Sequence, residues 1–157
     1  MFKMNKKILY ASGIILVVLI GFFVFRGGND SSMNSGVKAI LYKSPTCGCC
    51  SIYAQYLNKK GIKLEIKEMN DVSPIKEKYS VPGSMLSCHT LVIGNYFVEG
   101  HVPTEAIDKM LNEKPDIKGI GMGGMPSGSP GMPGAKKGPF IISQLGKDDM
   151  VSTFMEM

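Results

Sequence analysis

The chain has 157 residues, with 18 Lys and Arg against 13 Asp and Glu, and a formal net charge of +5. Four of the cations, Lys3, Lys6, Lys7 and Arg26, flank an apolar run near the N-terminus, so the rest of the sequence is nearly neutral. This distribution argues against a nucleic-acid partner, because proteins that bind nucleic acid concentrate Lys and Arg on one face. The length allows one domain and one appended segment.

The first predicted element is a membrane helix. Residues 8–25 (ILYASGIILVVLIGFFVF) carry no charge, and a helix of about 18 residues rises roughly 27 Å, just enough to span a bilayer. The lysines precede this run and only Arg26 follows, so the positive-inside rule predicts a cytoplasmic N-terminus. The alternative is a cleaved secretory signal, but no small-x-small cleavage site directly follows Phe25. We therefore predict a retained anchor at 1–26, and both interpretations place the domain outside the cytoplasm, on the periplasmic or cell-surface side.

A polar linker and a strand-helix-strand unit come next. Residues 27–36 (GGNDSSMNSG) have the composition of a flexible linker. The apolar run VKAILY predicts a buried strand, and the helical spacing of Ile52, Tyr53, Tyr56 and Leu57 predicts a helix that starts at the preceding cysteines. Residues 62–69 (IKLEIKEM) alternate apolar and charged side chains, which predicts a half-buried strand.

The remaining elements complete a recognisable order. Ser73-Pro74 opens a short helix, residues 90–98 predict a hairpin with its turn at Gly94-Asn95, and Pro103 begins a third helix. We assign residues 37–115 to an α/β thioredoxin-like domain, because strand-helix-strand-helix-hairpin-helix with cysteines at the first helix is typical of that fold. A Gly/Pro/Met-rich loop at 116–138 and a C-terminal β-hairpin at 139–157 complete the domain.

Four cysteines dominate the predicted chemistry. Cys47, Cys49 and Cys50 fall within four positions, and Cys88 is followed directly by His89. We expect the fold to bring Cys88 and His89 against the triplet, which would form a sulfur-rich metal site. Thiols outside the cytoplasm also form disulfides, and only Cys47 with Cys50, or one of the triplet with Cys88, has favourable geometry for a bridge.

The spacing of Cys47 and Cys50 leaves a second interpretation open. A C-x-x-C pair at a helix start is the arrangement of thiol-disulfide oxidoreductases, in which the helix dipole stabilises a thiolate. Two features favour a metal-binding protein over such an enzyme. Cys49 adds a third thiol that could trap the exchange, and Cys88-His89 occupies the place where thioredoxin-like oxidoreductases keep a proline.

The choice of metal depends on the methionines. Thiolates suit both Zn²⁺ and Cu(I), whereas thioether sulfur selects Cu(I). Three methionines lie in the glycine-rich segment, where packing surface is scarce: Met122, Met125 and Met132. We therefore predict a Cu(I) site, with zinc as the alternative, and adjacent thiolates allow several bridged ions. His89 is a candidate ligand, and His101 is a candidate neighbour of the ligands.

Taken together, the motifs SPTCGCC, SCHT, EGHVP and GMPSGSPGMPG resemble the CopG-type metal-binding proteins of bacterial copper-resistance loci, a thioredoxin-like family. The resemblance runs from about Val37 to the C-terminus. It implies copper handling outside the cytoplasm, with other copper-handling proteins as candidate partners. It also implies that all four cysteines match the family cysteines and that the three methionines belong to a methionine-bearing loop.

Overall fold

The computed structural model describes residues 37–157, so the predicted anchor and linker lie outside the described residues. Within 37–157, seven strands form one mixed sheet: β1 Ala39–Lys43, β2 Leu64–Glu68, β3 His89–Ile93, β4 Tyr96–Gly100, β5 Ile117–Met122, β6 Ile141–Gly146 and β7 Val151–Glu156. The helices are α1 Gly48–Lys59, α2 Ser73–Lys78 and α3 Thr104–Glu113, with a 3-10 turn at Gly83–Met85. None of the helices in this part of the chain is long and apolar enough to cross a membrane.

The sheet has the strand order β2-β1-β3-β4-β5-β6-β7. Two neighbouring pairs are parallel, β1 with β2 and β4 with β5, and the other four pairs are antiparallel. In the antiparallel ladder of β1 and β3, Lys43 lies opposite His89. The chain therefore leaves β1 towards the cysteine triplet at the same end of the sheet at which it enters β3 from Cys88.

The core lies between the sheet and one face of each long helix. On α1 the buried residues are Cys50, Tyr53, Ala54 and Leu57, and α3 buries Thr104, Ala106, Ile107 and Met110. Of the four residues whose spacing predicts this helix, Tyr53 and Leu57 are buried and Tyr56 is partly buried. Ile52 is the exception, because its side chain is 54% exposed.

Both predicted hairpins are present. Gly94 and Asn95 connect β3 to β4, and β6 and β7 form the antiparallel C-terminal pair. The expectation of a half-buried strand at residues 62–69 holds only at its start. β2 lies at the edge of the sheet, and Ile66 is 48% exposed. Alternation of apolar and charged residues does not distinguish an exposed edge strand from a half-buried one.

The largest departure from the sequence prediction is β5. Residues 116–138 were predicted to be a loop, but Ile117–Met122 form a strand between β4 and β6. Its glycines meet neighbouring side chains at close range: Gly119 lies against Phe97, and Gly121 lies against Met85 and Glu99. Glycine in a strand commonly marks such a close approach. The glycines that suggested a loop therefore make room for the core.

Substitution of Gly119 tests this packing. A Cβ atom there would clash with the Phe97 carbonyl oxygen and would lie 2.6 Å from the ring atom Cγ of the same residue. Gly119→Ala should lower the free energy of unfolding by about 1–3 kcal/mol, the usual cost of overpacking. Gly138→Ala is the matched control, since a Cβ there meets no heavy atom within 4 Å. Equal urea midpoints for both variants would contradict the close approach.

Candidate metal centre

The cysteine triplet lies at the start of α1, as predicted. Cys47 is the residue before the helix, its backbone is extended, and Cys50 occupies the first turn. A disulfide joins Cys47 to Cys50, whose Cα atoms are 5.4 Å apart. Cys50 is completely buried, whereas Cys47 and Cys49 remain partly exposed. Within the described residues Cys49 and Cys88 are the free thiols.

Cys88 reaches this helix start, as expected, whereas the buried His89 contacts the Gly100 carbonyl and Tyr53. The sulfur atoms of Cys47, Cys49 and Cys88 lie within 4.8 Å of one another, and those of Cys47 and Cys49 are 3.5 Å apart. Thiolates bound to one ion through bonds of about 2.3 Å would be about 3.8 Å apart in a tetrahedral site and about 4.0 Å apart in a trigonal one. The three sulfurs are thus close to the spacing that a shared soft metal ion requires.

One methionine of the glycine-rich segment joins this cluster. The Cys88 thiol donates to Met125 Sδ at 3.2 Å. Gly124 and Met125 both have positive φ angles, +76° and +46°, and form part of the loop that follows β5. Left-handed backbone is uncommon for a residue such as methionine, so the surrounding contacts hold it there. We refer to Cys47, Cys49, Cys88 and Met125 as the sulfur cluster.

The other two methionines have different surroundings. Met122 is the last residue of β5, is only 2% exposed and packs in the main hydrophobic core. Met132 is partly buried in a turn, where its backbone N–H donates to the Ser129 carbonyl. The preceding Gly131 passes close to the first turns of α1, because a Cβ at Gly131 would lie 3.3 Å from the Cys49 carbonyl oxygen. The loop after β5 therefore covers the helix that carries the cysteines.

Two buried histidines contact Tyr53 of α1. His89 Nε2 is 3.1 Å from the Gly100 carbonyl and His101 Nδ1 is 2.7 Å from the Pro130 carbonyl, so these nitrogens carry the protons and donate. Each ring then has one bare nitrogen, His89 Nδ1 and His101 Nε2, and both are buried without a hydrogen-bond partner. The two ring centroids are 4.9 Å apart, and Tyr53 contacts both rings.

Burial sets the protonation of this region. Desolvation, followed by the neighbouring His101, lowers the pKa of His89 to about 3. Burial also lowers the pKa of His101, although its bond to Pro130 opposes this. The pKa of the Cys88 thiol is raised by burial first and then by Cys49. The histidines are therefore neutral near pH 7, the form in which imidazole binds metals, and the Cys88 thiol is protonated at that pH.

A buried ion pair beside Cys88 was missed by the sequence analysis. Glu99 in β4 is completely buried and pairs with Lys76 of α2. Burial raises the pKa of Glu99, and its bonds to Lys76 and Thr90 counter that effect. A charged residue within the otherwise apolar run YFVEG was the available signal, because a carboxylate inside a strand needs a partner when it is buried.

Comparisons with known proteins agree with the motifs. The family model described as "Protein of unknown function, DUF411" matches residues 85–132, which include Cys88, both histidines and the glycine-rich segment as far as Met132. Two solved structures of copper resistance protein CopG are similar at 37% sequence identity. Form 2 has a TM-score of 0.71 over 77% of this chain and 98% of CopG, and form 1 has 0.70 over 76% and 96%. The search of curated proteins gave no match.

The buried histidine predicts a pH dependence of stability. The pKa of His89 is about 3 in the folded chain and near 6.5 when unfolded, so below pH 6.5 the unfolded state binds a proton that the folded state does not. The contribution of neutral His89 to the free energy of unfolding is fully present above pH 6.5. It decreases as the pH falls, and at pH 5 the free energy of unfolding is lower by about 2 kcal/mol. In urea unfolding, the free energy of unfolding should decrease less between pH 7 and pH 5 for His89→Gln than for the wild type. Identical losses would contradict this assignment.

Proposed function

This chain belongs to the family of the copper resistance protein CopG, and from that premise we propose that it binds copper ions as cargo for copper tolerance or transfer. The observation that carries the proposal is the convergence of three cysteine sulfurs from two distant segments within 4.8 Å. Core packing does not explain these sulfurs, because Cys47, Cys49 and Cys88 are all partly exposed. A ligand set open to solvent at one side can load and release an ion.

The bound ion in this proposal is Cu(I). The contact of Met125 Sδ with the Cys88 thiol supports this choice, since thioether sulfur binds Cu(I) and is a poor ligand for zinc. Adjacent thiolates can bridge two ions, so Cys47 and Cys49, with sulfurs 3.5 Å apart, support a cluster of more than one Cu(I). His89 Nδ1 is a bare buried nitrogen next in sequence to a cysteine of the cluster.

The disulfide makes copper binding depend on reduction. Cys47 offers a thiolate only after its bond to Cys50 is broken, which takes two electrons and two protons from a reductant such as a dithiol and yields two thiols. Copper then displaces the thiol protons, because the thiolate is the ligand. The start of α1 assists this step, since the N-terminal end of a helix stabilises a nearby thiolate.

We also propose that the domain lies outside the cytoplasm, attached through the apolar run at residues 8–25. Two features support this location. The lysines that precede the apolar run follow the positive-inside pattern. The disulfide between Cys47 and Cys50 is of a kind that persists in oxidising compartments.

Removal of Cys88 tests the proposed function. The reduced wild-type protein, titrated anaerobically with Cu(I) against a chromophoric chelator, should bind copper and show ultraviolet thiolate-to-metal absorption. Cys88→Ser should reduce both the affinity, by about tenfold or more, and the absorption, because one of the converging ligands is lost. Unchanged copper stoichiometry and affinity in Cys88→Ser would refute the proposal. Failure of the wild type to compete with the chelator would do so as well.

The same titration distinguishes copper from zinc. Met125→Leu keeps the size of the side chain and removes the thioether, so it should weaken Cu(I) binding and leave Zn²⁺ binding unchanged. Met110→Leu is the matched control, because Met110 is buried on α3 in the hydrophobic core. Equal Cu(I) affinities for the two variants would remove Met125 from the ligand set.

The disulfide favours one further candidate function, a thiol-disulfide oxidoreductase that uses Cys47 and Cys50. Cys47 is partly exposed before the helix, as an attacking thiol must be, and Cys50 is buried behind it, as a resolving thiol can be. The predicted thioredoxin-like arrangement is supported by the sheet order β2-β1-β3-β4, in which α1 follows β1. This function and copper binding use the same Cys47 thiolate and therefore compete.

Insulin reduction by the copper-free protein tests this candidate. The wild type with dithiothreitol should precipitate insulin faster than dithiothreitol alone, and Cys50→Ser should abolish the acceleration because the mixed disulfide on Cys47 is no longer resolved. Added Cu(I) should inhibit the wild type by occupying Cys47. A wild-type rate equal to that of the reagent alone would exclude the oxidoreductase.

A further inference from the structure

We propose that Glu99 is a positioning residue for copper binding, which fixes Cys88 within reach of Cys47 and Cys49. This inference rests on the copper-binding function proposed above. Glu99 is not itself a ligand in the proposal. It acts through the two residues that flank the Cys88-His89 pair in the sequence, Ser87 and Thr90.

The hydrogen bonds of Glu99 enclose this short segment. Its Oε1 atom accepts from the Ser87 backbone N–H at 2.7 Å, and its Oε2 atom accepts from Thr90 Oγ1 at 2.6 Å. Cys88 and His89 lie between these two attachment points. A single rigid carboxylate therefore fixes the chain on both sides of the cysteine, with the segment held at a backbone atom and at a side-chain hydroxyl.

Lys76 connects the same carboxylate to α2. Its ammonium group donates to Glu99 Oε1 and also to Thr90 Oγ1, the latter at 3.1 Å. The Lys76 side chain is 11% exposed and that of Glu99 is fully buried. Both carboxylate oxygens of Glu99 and the hydroxyl of Thr90 are thus hydrogen-bonded to other protein groups. These bonds lie in the protein interior, where water competes little for them.

The position of Glu99 in the sheet adds to its rigidity. Glu99 lies directly opposite Thr90 in the antiparallel ladder of β3 and β4. On its other side it faces Gly121 of β5, where a Cβ would come within 3.1 Å of the Glu99 Cβ. The glycine thereby lets β5 pack against the base of the carboxylate side chain.

Loss of the carboxylate should weaken copper binding by releasing Cys88. Without it the Ser87 N–H and the Lys76 ammonium lose an acceptor, and the segment from Leu86 to His89 can shift by the fraction of an ångström that separates good from poor ligand geometry. Residues that orient metal ligands from outside the coordination sphere typically contribute about 10- to 100-fold to affinity. We expect Glu99→Ala to weaken Cu(I) binding by about this factor.

The experiment is a double-variant comparison on the reduced full chain, titrated with Cu(I) against a chelator. Glu99→Ala is measured alone and combined with Cys88→Ser. If Glu99 acts through Cys88, the first substitution weakens binding in the wild-type background and has little further effect once Cys88 is Ser. Glu113→Ala is the matched control, because it removes a carboxylate paired with Lys109 on the exposed face of α3 and should leave affinity unchanged.

Three outcomes would overturn the inference: wild-type affinity in Glu99→Ala, an equal loss in both backgrounds, and an equal loss in Glu113→Ala. Should Glu99→Ala fail to fold, Glu99→Gln replaces it in both backgrounds. The amide keeps the size of the side chain and one acceptor oxygen, so its loss of affinity should be smaller and again depend on Cys88. A wild type that does not bind Cu(I) refutes the proposed function itself, and that result is distinct from a Glu99 variant that binds as well as the wild type.

Discussion

The pairing of β1 with β3 is the constraint on which the sulfur cluster depends. Because the two strands are antiparallel and Lys43 lies opposite His89, the residues that follow β1 meet the residue that precedes β3 at one end of the sheet. A slip of this ladder by two residues would move Cys88 by about 7 Å along the strand. A slip by one residue would turn its alternating side chains to the opposite face. The buried residues of β3, which include Leu91 and Ile93, oppose such slips and so fix the geometry of the cluster.

The disulfide and the proposed metal site share one atom, the Cys47 sulfur. In the disulfide form the Cys47 sulfur is bonded to Cys50 yet still lies within 4.8 Å of the sulfurs of Cys49 and Cys88. Reduction would therefore need little movement to present three thiolates together. Cys50 is fully buried in this form, whereas Cys47 is partly exposed, so Cys47 is the more accessible of the two disulfide partners to an external ion.

The sequence predicted the elements that carry strong local signals. The C-x-C-C helix start and the turn at Gly94-Asn95 follow from patterns of a few residues. The approach of Cys88 to Cys47 was expected from the chemistry of the cysteines, and the pairing of β1 with β3 produces it. β5 was missed because its glycines serve tertiary packing, and no local pattern distinguishes a glycine under Phe97 from a glycine in a loop. For the same reason, the sequence could not distinguish a core methionine from one beside the cysteines. Met122 and Met125 are three positions apart, yet Met122 lies in the core and Met125 contacts Cys88.

The buried pair of Lys76 and Glu99 is difficult to explain by stability alone. Removal of two charges from water costs several kcal/mol per ion, and well-packed apolar residues in place of such a pair are often neutral or stabilising. Here the carboxylate also satisfies a backbone N–H and a hydroxyl on either side of Cys88-His89. An apolar residue at this position could fill the space, but it could not accept those bonds or define where the cysteine lies. In the proposed copper site, the ion pair offsets this energetic cost by holding the Cys88 thiol in place, because a ligand that is already fixed loses less freedom when an ion binds.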